Sequence, residues 1–393
     1  MRRPVRIGLI GFGWMGQAHS RSYRRIPMLF PDRTTEPELI VCSDTVAARR
    51  ESAVAEFGYR EATDDWRSVC SHPDVDVVVC TAPNMLHLEI VEAACTSGKH
   101  VFCEKPVGGT PEQTARAAAA ARRAGVISGV GYNYRFAPLV RYAAEMIRDG
   151  RLGRITSYRG RFLSMYGADP LGVFSWRFEQ DQAGYGASTD LLSHSVDLAQ
   201  MLVGRISRVT GLRATFIPER PLPSGEAGTH YGRGTAGAQT AKVTNEDYAA
   251  LLAVFESGAP AIFEASRAAV GPESQMAFAV FGTEGALSWN LERMNEIQLY
   301  LGHDERHTGY TTIFGGDRFR WHGAFVPGSA NGIGFEDLVA IEDFEFLESV
   351  GRDEKHEPGF EEALAAVEVQ AALIRSWDSG RWEDVDRVAG PAS

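Results

Sequence analysis

No stretch of this chain is apolar for the ~20 residues that a bilayer-spanning helix requires. Cysteine is scarce, with five among 393 residues. The five are Cys42, Cys70, Cys80, Cys95 and Cys103. An odd count confined to the first part of the chain excludes a disulfide framework. The absence of any C-x-x-C pair argues against a zinc ribbon. Positive charge is the minority sign: 40 Lys and Arg stand against 51 Asp and Glu, a formal net charge of −11. The densest basic cluster, Arg21, Arg24 and Arg25, is a single helix face. Such a chain repels phosphate backbones and anionic lipid surfaces, so neither nucleic acid nor a membrane is an expected partner. Met1–Ile10 lacks a small-residue cleavage site and does not read as a secretory leader. Two nucleotide and hydrolase signatures are also missing. GTHYGRGT (228–235) lacks the G-K-[ST] ending of a phosphate loop, and no G-x-S-x-G elbow occurs. With 44% hydrophobic and 23% charged residues, the composition is that of a globular protein able to bury a large core. The expectation is a reduced, cytoplasmic protein.

The pattern that is present changes style along the chain. In the first 130 residues short apolar runs alternate with helical periodicity. Val5–Ile10, Leu39–Cys42, Val75–Cys80, His100–Cys103 and Val126–Tyr132 read as strands. Gly16–Arg25, Ala47–Phe57, Met85–Thr96 and Thr110–Arg123 read as helices. VDVVVC (75–80) is a run of the kind buried on both faces of a parallel sheet. This alternation predicts a doubly wound α/β Rossmann-type sheet over residues 1–131. Beyond it, seven strand-like runs with short connections predict an α+β domain over 132–393, built on a large open antiparallel sheet. A helix at Ser188–Leu202 precedes most of these strands, and helices at Phe335–Val350 and Pro358–Ser376 follow them. Segments 218–242 and 308–334, rich in glycine, read as irregular and functional or mobile.

Gly11-Phe12-Gly13-Trp14-Met15-Gly16 is a G-x-G-x-x-G turn between the first strand and the first helix. There Gly11 permits the tight turn, Gly13 lets the backbone approach a pyrophosphate, and Gly16 lets the helix pack on the sheet. The helix N-terminus then faces the phosphates. Asp44, just past the second strand, is placed to accept hydrogen bonds from the adenosine ribose and to repel a 2′-phosphate, which favours NAD over NADP. It also suits a helix N-cap, and Arg49 and Arg50 nearby leave a 2′-phosphate open. Thr81-Ala82-Pro83-Asn84-Met85-Leu86-His87 and Glu104-Lys105-Pro106 follow two further strands, at the sheet end where ligands bind. Lys105 there is either a surface lysine or a group that polarises a hydroxyl. Asp190 and His194 stand four apart on one helix face, just after Gly184-x-Gly186. The histidine is either a packed core residue or a general base. His303 and His307 are also four apart, but Asp304 stands where a zincin needs Glu. No metal is expected.

Six motifs in order resemble the Gfo/Idh/MocA oxidoreductase family, which includes glucose–fructose oxidoreductase and inositol dehydrogenases. They are GFGWMG, TAPNMLH, EKP, Gly131-Tyr132-Asn133-Tyr134-Arg135, Ser175-Trp176-Arg177, and G-x-G-x-x-x-D-x-x-x-H-x-x-D. Ser175–Phe178, IPERPLPSG and GIGFED are most similar to its levoglucosan and glycoside 3-dehydrogenases. The resemblance implies an NAD-dependent dehydrogenase that oxidises a secondary hydroxyl of a pyranose sugar or glycoside at the 3-position. It implies that Lys105 positions the reacting hydroxyl, that His194 takes its proton and that Asp190 binds neighbouring hydroxyls. Asn133 and Arg135 are implied to line the nicotinamide and sugar pocket, with Trp176 and Arg177 near the nicotinamide. Thr81, Pro83, Asn84, His87 and Glu104 are expected around the cofactor. A homodimer or homotetramer through the open sheet is implied as well. Leu192 departs from the family pattern, which has Gly between the Asp and the His. An inositol or cyclitol dehydrogenase, a redox-assisted glycosidase and a non-catalytic dinucleotide sensor are the alternative readings.

Overall fold

The computed structural model describes residues 2–223, 232–302 and 308–388. Its first part alternates as the sequence predicts. Strand β1 (Arg3–Ile10) runs into helix α1 (Trp14–Leu29), β2 (Thr35–Ser43) into α2 (Ala47–Ala55), and β3 (Glu61–Thr63) into α3 (Trp66–Ser71). Strand β4 (Val77–Cys80) leads to α4 (His87–Thr96), β5 (His100–Cys103) to α5 (Pro111–Ala124), and β6 (Ser128–Val130) completes the set. The sheet order is β3-β2-β1-β4-β5-β6, and every pair is parallel. All four residues of β4 are buried, as a strand covered by helices on both faces must be. Strand order reverses between β1 and β4, which opens a crevice at their carboxyl ends. The short β3 and α3 are additions the apolar pattern did not reveal. Helix α5 starts where Thr110 caps Gln113 N, with Pro111 in the first turn, and it ends at Gly125, following the usual capping asymmetry.

The second part begins with α6 (Pro138–Arg148) and β7 (Ile155–Leu163). A short α7 (Gln180–Ala183) and then α8 (Ser193–Val203) precede β8 (Ile206–Ala214). Strands β9 (Glu219–Pro221) and β10 (Thr240–Lys242) form a small antiparallel pair. Then come β11 (Tyr248–Phe255), β12 (Pro260–Ser266), β13 (Gln275–Gly282), β14 (Gly285–Asn290), β15 (Glu296–Leu301) and β16 (Thr311–Phe314). Helices α9 (Phe335–Arg352) and α10 (Phe360–Ser379) and a short β17 (Glu383–Asp384) follow. The nine-stranded order is β16-β15-β14-β13-β7-β12-β11-β8-β17.

Three expectations need correction here. The large sheet is mixed, because β7 and β12 pair parallel in its middle. The chain leaves β7 through α7 and α8 before it returns, and that long crossover permits a parallel neighbour. Among the described residues, 218–242 contains the strands β9 and β10, and 308–334 contains β16. The predicted helix at Ser188–Leu202 is two pieces, a π-helical turn at Ser188–Leu192 followed by α8.

Residues 1–131 and the rest of the chain pack closely against each other. Helix α9 covers the first sheet, with Phe344 stacked on Phe30 at 4.0 Å and Phe346 edge-on to Phe102 at 5.3 Å. Glu348 accepts the Thr34 and Thr35 amides at 2.9 and 3.0 Å. Arg21 and Arg25, two of the basic cluster on α1, pair with Glu336 and Asp337 at the start of α9. Helix α10 lies between α5 and β8 and joins the two sheets. Among the described residues, no helix is long and apolar enough to cross a membrane.

Candidate active site

The glycine turn forms where β1 ends. Gly11 has φ +96°, and a Cβ there would meet the Thr81 carbonyl oxygen at 2.7 Å. Only glycine relieves both constraints. The Thr81 hydroxyl donates to the Gly11 carbonyl at 2.5 Å, which ties the turn to the end of β4. Gly16 packs directly against the Gly11 carbonyl. Phe12 buries its ring edge-on to Phe57 at 4.9 Å, so only its backbone faces the crevice. Half-buried Met15 lies in the first turn of α1, and Trp14 is exposed and stacked on Phe335 at 5.3 Å.

Asp44 follows β2 with its carboxylate beside this turn. It accepts the Phe12 amide at 2.7 Å and the Val46 amide at 2.8 Å. The N-cap of α2 is Val46 itself, so Asp44 braces the turn rather than capping the helix. Arg49 Nη1 stands 3.4 Å from the carboxylate, and Arg50 donates to the Asp44 carbonyl at 2.7 Å.

Lys105 and Asp190, 85 positions apart, meet in the crevice. The ammonium donates to Asp190 Oδ1 at 2.9 Å and to the Asp190 carbonyl at 3.1 Å. Tyr166, on the loop after β7, donates to Asp190 Oδ2 at 2.9 Å. Burial opposes the Asp190 carboxylate. The Lys105 ammonium, the Arg177 guanidinium and the two hydrogen bonds outweigh it and hold the pKa far below the usual carboxylate range. His194 is buried among Tyr132, Tyr134 and Phe162, its ring centroid 4.8 Å from that of Tyr134. Burial, then the Lys105 ammonium, push its pKa well below 6.5, against a smaller pull from Asp190. The imidazole is therefore neutral at neutral pH. Its ring nitrogens have no hydrogen-bond partner among the described residues, so it is free to accept a proton. The π turn carries Asp190 and leads into α8. Such turns widen the helix locally and recur at functional sites. Leu192 is buried inside this turn, so the residue that departs from the family pattern faces the core.

The remaining expected residues divide into two groups. Glu104 faces the crevice floor and accepts from the Lys105 amide at 3.3 Å, with His19 Nε2 also 3.3 Å away. Asn84 reaches across to the Ala183 carbonyl at 3.1 Å, and Pro83 beside it is exposed. The Arg177 guanidinium lies over the Trp176 ring at 4.4 Å. Asn133 is buried, and its Nδ2 has no hydrogen-bond partner among the described residues. Two residues are turned away from the crevice. Arg135 makes a buried bidentate pair with Asp197 at 2.7 and 2.6 Å. That committed fork leaves α8 anchored and the guanidinium unable to reach a sugar. His87 is buried, with Nδ1 on the Pro106 carbonyl and Nε2 on the Ala82 carbonyl, each at 2.7 Å. It pins the two loops from beneath. The pair His303 and His307 lies outside the described residues.

Sequence reasoning missed the clamp that holds Asp190 in place. The Glu246 carboxylate accepts the Gly186 and Ser188 amides at 3.0 and 2.9 Å, and its carbonyl accepts the Ala187 amide at 3.0 Å. A Cβ at Gly186 would collide with that carbonyl. Arg267 joins Asp247 at 2.8 Å, Asn245 at 2.8 Å and the Arg177 carbonyl at 3.2 Å. The polar run Thr244–Asp247 immediately before an apolar strand was the available signal.

A glycine turn at a topological switch point, an acid at the end of β2 and an unpartnered buried amide fit a dinucleotide. A cationic lysine beside a neutral histidine fits hydride chemistry on an alcohol. Together they define a nicotinamide-dependent oxidoreductase. Comparison with known proteins agrees. Residues 5–132 match the oxidoreductase family model for an NAD-binding Rossmann fold, and residues 140–288 match the GFO/IDH/MocA C-terminal domain. The levoglucosan dehydrogenase of Pseudarthrobacter phenanthrenivorans is 35% identical over 390 residues, covering 98% of this chain and 99% of that one. A solved structure of levoglucosan dehydrogenase in complex with NADH and levoglucosan superimposes with a TM-score of 0.91 at 33% identity, covering 98% of this chain and all of that one. The D-glucoside 3-dehydrogenase of Escherichia coli is 28% identical over 201 residues, 51% of this chain and 54% of that one. This chain belongs to the GFO/IDH/MocA family of oxidoreductases, whose N-terminal domain is an NAD-binding Rossmann fold.

Proposed function

We propose that this enzyme oxidises a secondary hydroxyl of a pyranose sugar or glycoside, at the 3-position, to the ketone. The observation that carries the reading is the convergence of Lys105, Asp190 and a neutral His194 at the mouth of the dinucleotide crevice. Residues Gly11–Gly16 hold the pyrophosphate, and Asp44 receives the adenosine ribose. Thr81, Pro83, Asn84, Glu104, Asn133, Trp176 and Arg177 surround the nicotinamide end. The bound NAD supplies the hydride acceptor. Lys105 orients and polarises the hydroxyl, His194 takes its proton, and Asp190 holds Lys105 while accepting from a neighbouring hydroxyl. His87 and Arg135 act through the loops and helix they fix, without touching substrate.

The charged groups Lys105, Asp190 and Arg177 and the Tyr166 hydroxyl give the pocket a polar lining suited to a polyol. A site of this kind rejects a wrong epimer by leaving a buried polar group unpaired. The test is NADH formation across a panel of pyranoses, anhydrosugars, glycosides and cyclitols, with the product carbonyl located by NMR. Turnover of a glycoside with the ketone at C3 is the expected result. Tight NAD binding without turnover of any of them overturns the proposal. Release of free aglycone without NADH accumulation would redirect it to redox-assisted glycoside cleavage.

We place self-association on the uncovered face of the large sheet. Leu252 and Ile262 face each other in register there and are 47% and 48% exposed. Dilution of the native enzyme in light scattering tests this, with a monomer at all concentrations as the refuting outcome.

A further inference from the structure

Two cysteines stand side by side beneath the loops that carry the proposed chemistry. Cys80 ends β4 and Cys103 ends β5, and they are direct partners in the parallel register. Neighbouring strands lie ~4.7–4.9 Å apart, a separation within the range over which a disulfide closes. Both sulfurs and a ring nitrogen of His87 lie within 4.8 Å of one another, and all three residues are buried. Each thiol precedes a working loop by one residue. Thr81 ties down the glycine turn, and Glu104 leads into Lys105.

His87 makes this pair unlike two inert core cysteines. Its two hydrogen bonds end on carbonyl oxygens, which only accept. These bonds to the two loops fix the ring in place beside the sulfurs. Burial raises the Cys80 pKa, but a hydrogen bond from Cys103 and the nearby imidazole bring it down to about 7. A thiolate is thus accessible at neutral pH with a second thiol in reach.

We propose that Cys80 and Cys103 form a reversible dithiol–disulfide pair, an oxidation site beneath the cofactor crevice that inactivates the enzyme by displacing Thr81 and Lys105. The oxidant is a small hydroperoxide such as hydrogen peroxide. The Cys80 thiolate attacks one peroxide oxygen, the O–O bond breaks, and hydroxide leaves a sulfenic acid on Cys80. The Cys103 sulfur then attacks the Cys80 sulfur, the S–S bond forms, and the S–O bond breaks to release water. Two thiols give up two protons and two electrons, and one peroxide becomes two waters. Closing the bond brings the sulfurs to ~2.05 Å and fixes the Cβ–S–S–Cβ dihedral near ±85–100°, which turns both side chains and shifts the residues that follow them, Thr81 and Glu104. A soft metal ion is the competing occupant. It would have to break one of the 2.7 Å bonds of His87, and the cluster offers three ligands among the described residues.

The effect on turnover rests on the proposed function, whereas the cross-link does not. The full-length reduced enzyme is treated with hydrogen peroxide, with and without NAD, and mapped by mass spectrometry without reduction. The expected result is a linked peptide joining Cys80 to Cys103, formed more slowly when NAD is bound and lost on addition of dithiothreitol. Sugar-dependent NADH formation falls in step with the linked fraction, by about a hundredfold at completion, the cost of an ångström-scale misplacement. Cys80→Ala and Cys103→Ser each abolish the link, while Cys42→Ala in β2 leaves it intact. If no sugar is turned over, NAD affinity read by tryptophan fluorescence replaces the activity readout, and the linked peptide is still diagnostic. Three results overturn the proposal. One is no linked peptide at peroxide levels that oxidise exposed methionines. Another is a linked peptide with no change in turnover or NAD affinity. The last is one equivalent of zinc retained by the enzyme and lost in Cys80→Ala.

Discussion

Replacing Lys105 with alanine removes the one ammonium that touches Asp190. The ion pair spans 2.9 Å, worth ~6 kcal/mol at an effective dielectric of about 20 before screening. The Asp190 side chain is 36% exposed, and solvent screening reduces the net contribution to on the order of 1 kcal/mol. The variant should therefore fold, with melting lowered by only a few degrees. Its effect on chemistry is larger. A positioned acid–base group contributes about 10²–10⁴-fold, equivalent to ~3–5 kcal/mol of barrier. The pH profile carries a second signature. His194 is held well below 6.5 by burial and by Lys105, while Asp190 pulls the other way. Without Lys105 the imidazole pKa rises, so more of the base is protonated at a given pH. The acid limb of kcat/KM then moves to higher pH. Steady-state NADH formation between about pH 5 and 9, together with NAD affinity by fluorescence, measures all three quantities. A kcat within about threefold of the parent enzyme, an unmoved acid limb, or a parallel collapse of NAD affinity would refute the assigned role.

Other substitutions probe separate parts of the site. Asp44→Ser removes a carboxylate flanked by Arg49 and Arg50, so the ratio of kcat/KM for NAD over NADP should fall by about tenfold or more. Because the Phe12 amide also loses its acceptor, NAD affinity should weaken in the same variant; an unchanged ratio would remove Asp44 from ribose recognition. Glu246→Gln turns one of two accepting oxygens into a donor facing a backbone N–H. The penalty of ~1–3 kcal/mol for an unsatisfied buried group should appear as a lower kcat with NAD affinity unchanged, and conservative Glu246→Asp should recover part of it. His356 is buried beside Phe136 and Phe346, and burial, then Arg141 and Arg135, push its pKa down to about 3. A folded value below the unfolded 6.5 stabilises above pH 6.5, and that stability is lost as pH falls toward 3. At 1.36 kcal/mol per pH unit the loss amounts to ~5 kcal/mol. His356→Phe should therefore flatten the fall of the melting temperature between about pH 6.5 and 4; melting curves that stay parallel to the parent would count against this account.

What was legible in the sequence was local. The glycine turn, Asp44 and the EKP lysine each sit within a few residues of the strand that positions them, so a short window holds both motif and context. Asp190 and His194 were legible by spacing, although the π turn that presents them was not, since it depends on Glu246 more than fifty positions away. Arg135 looked like a pocket residue because nothing in its neighbourhood shows that Asp197 will claim its fork. His87 lies in the expected loop but faces away from the crevice, a distinction set by the Ala82 and Pro106 carbonyls that close around its ring. Tyr166 lies on a loop with no periodicity. The parallel pairing of β7 with β12 was hidden as well, because strand periodicity records which face is buried and carries no direction.

The docking of α9 on the first sheet bears on how the protein is made. A ribosome delivers residues 1–131 first, yet the aromatic lid over Phe30 and Phe102 and the carboxylate that caps Thr34 and Thr35 arrive some two hundred residues later. Until then the nascent nucleotide module has a bare apolar flank. Its maturation is coupled to the end of synthesis, and a messenger truncated before Phe335 would yield a product exposed to chaperones and proteases rather than a free-standing dinucleotide binder.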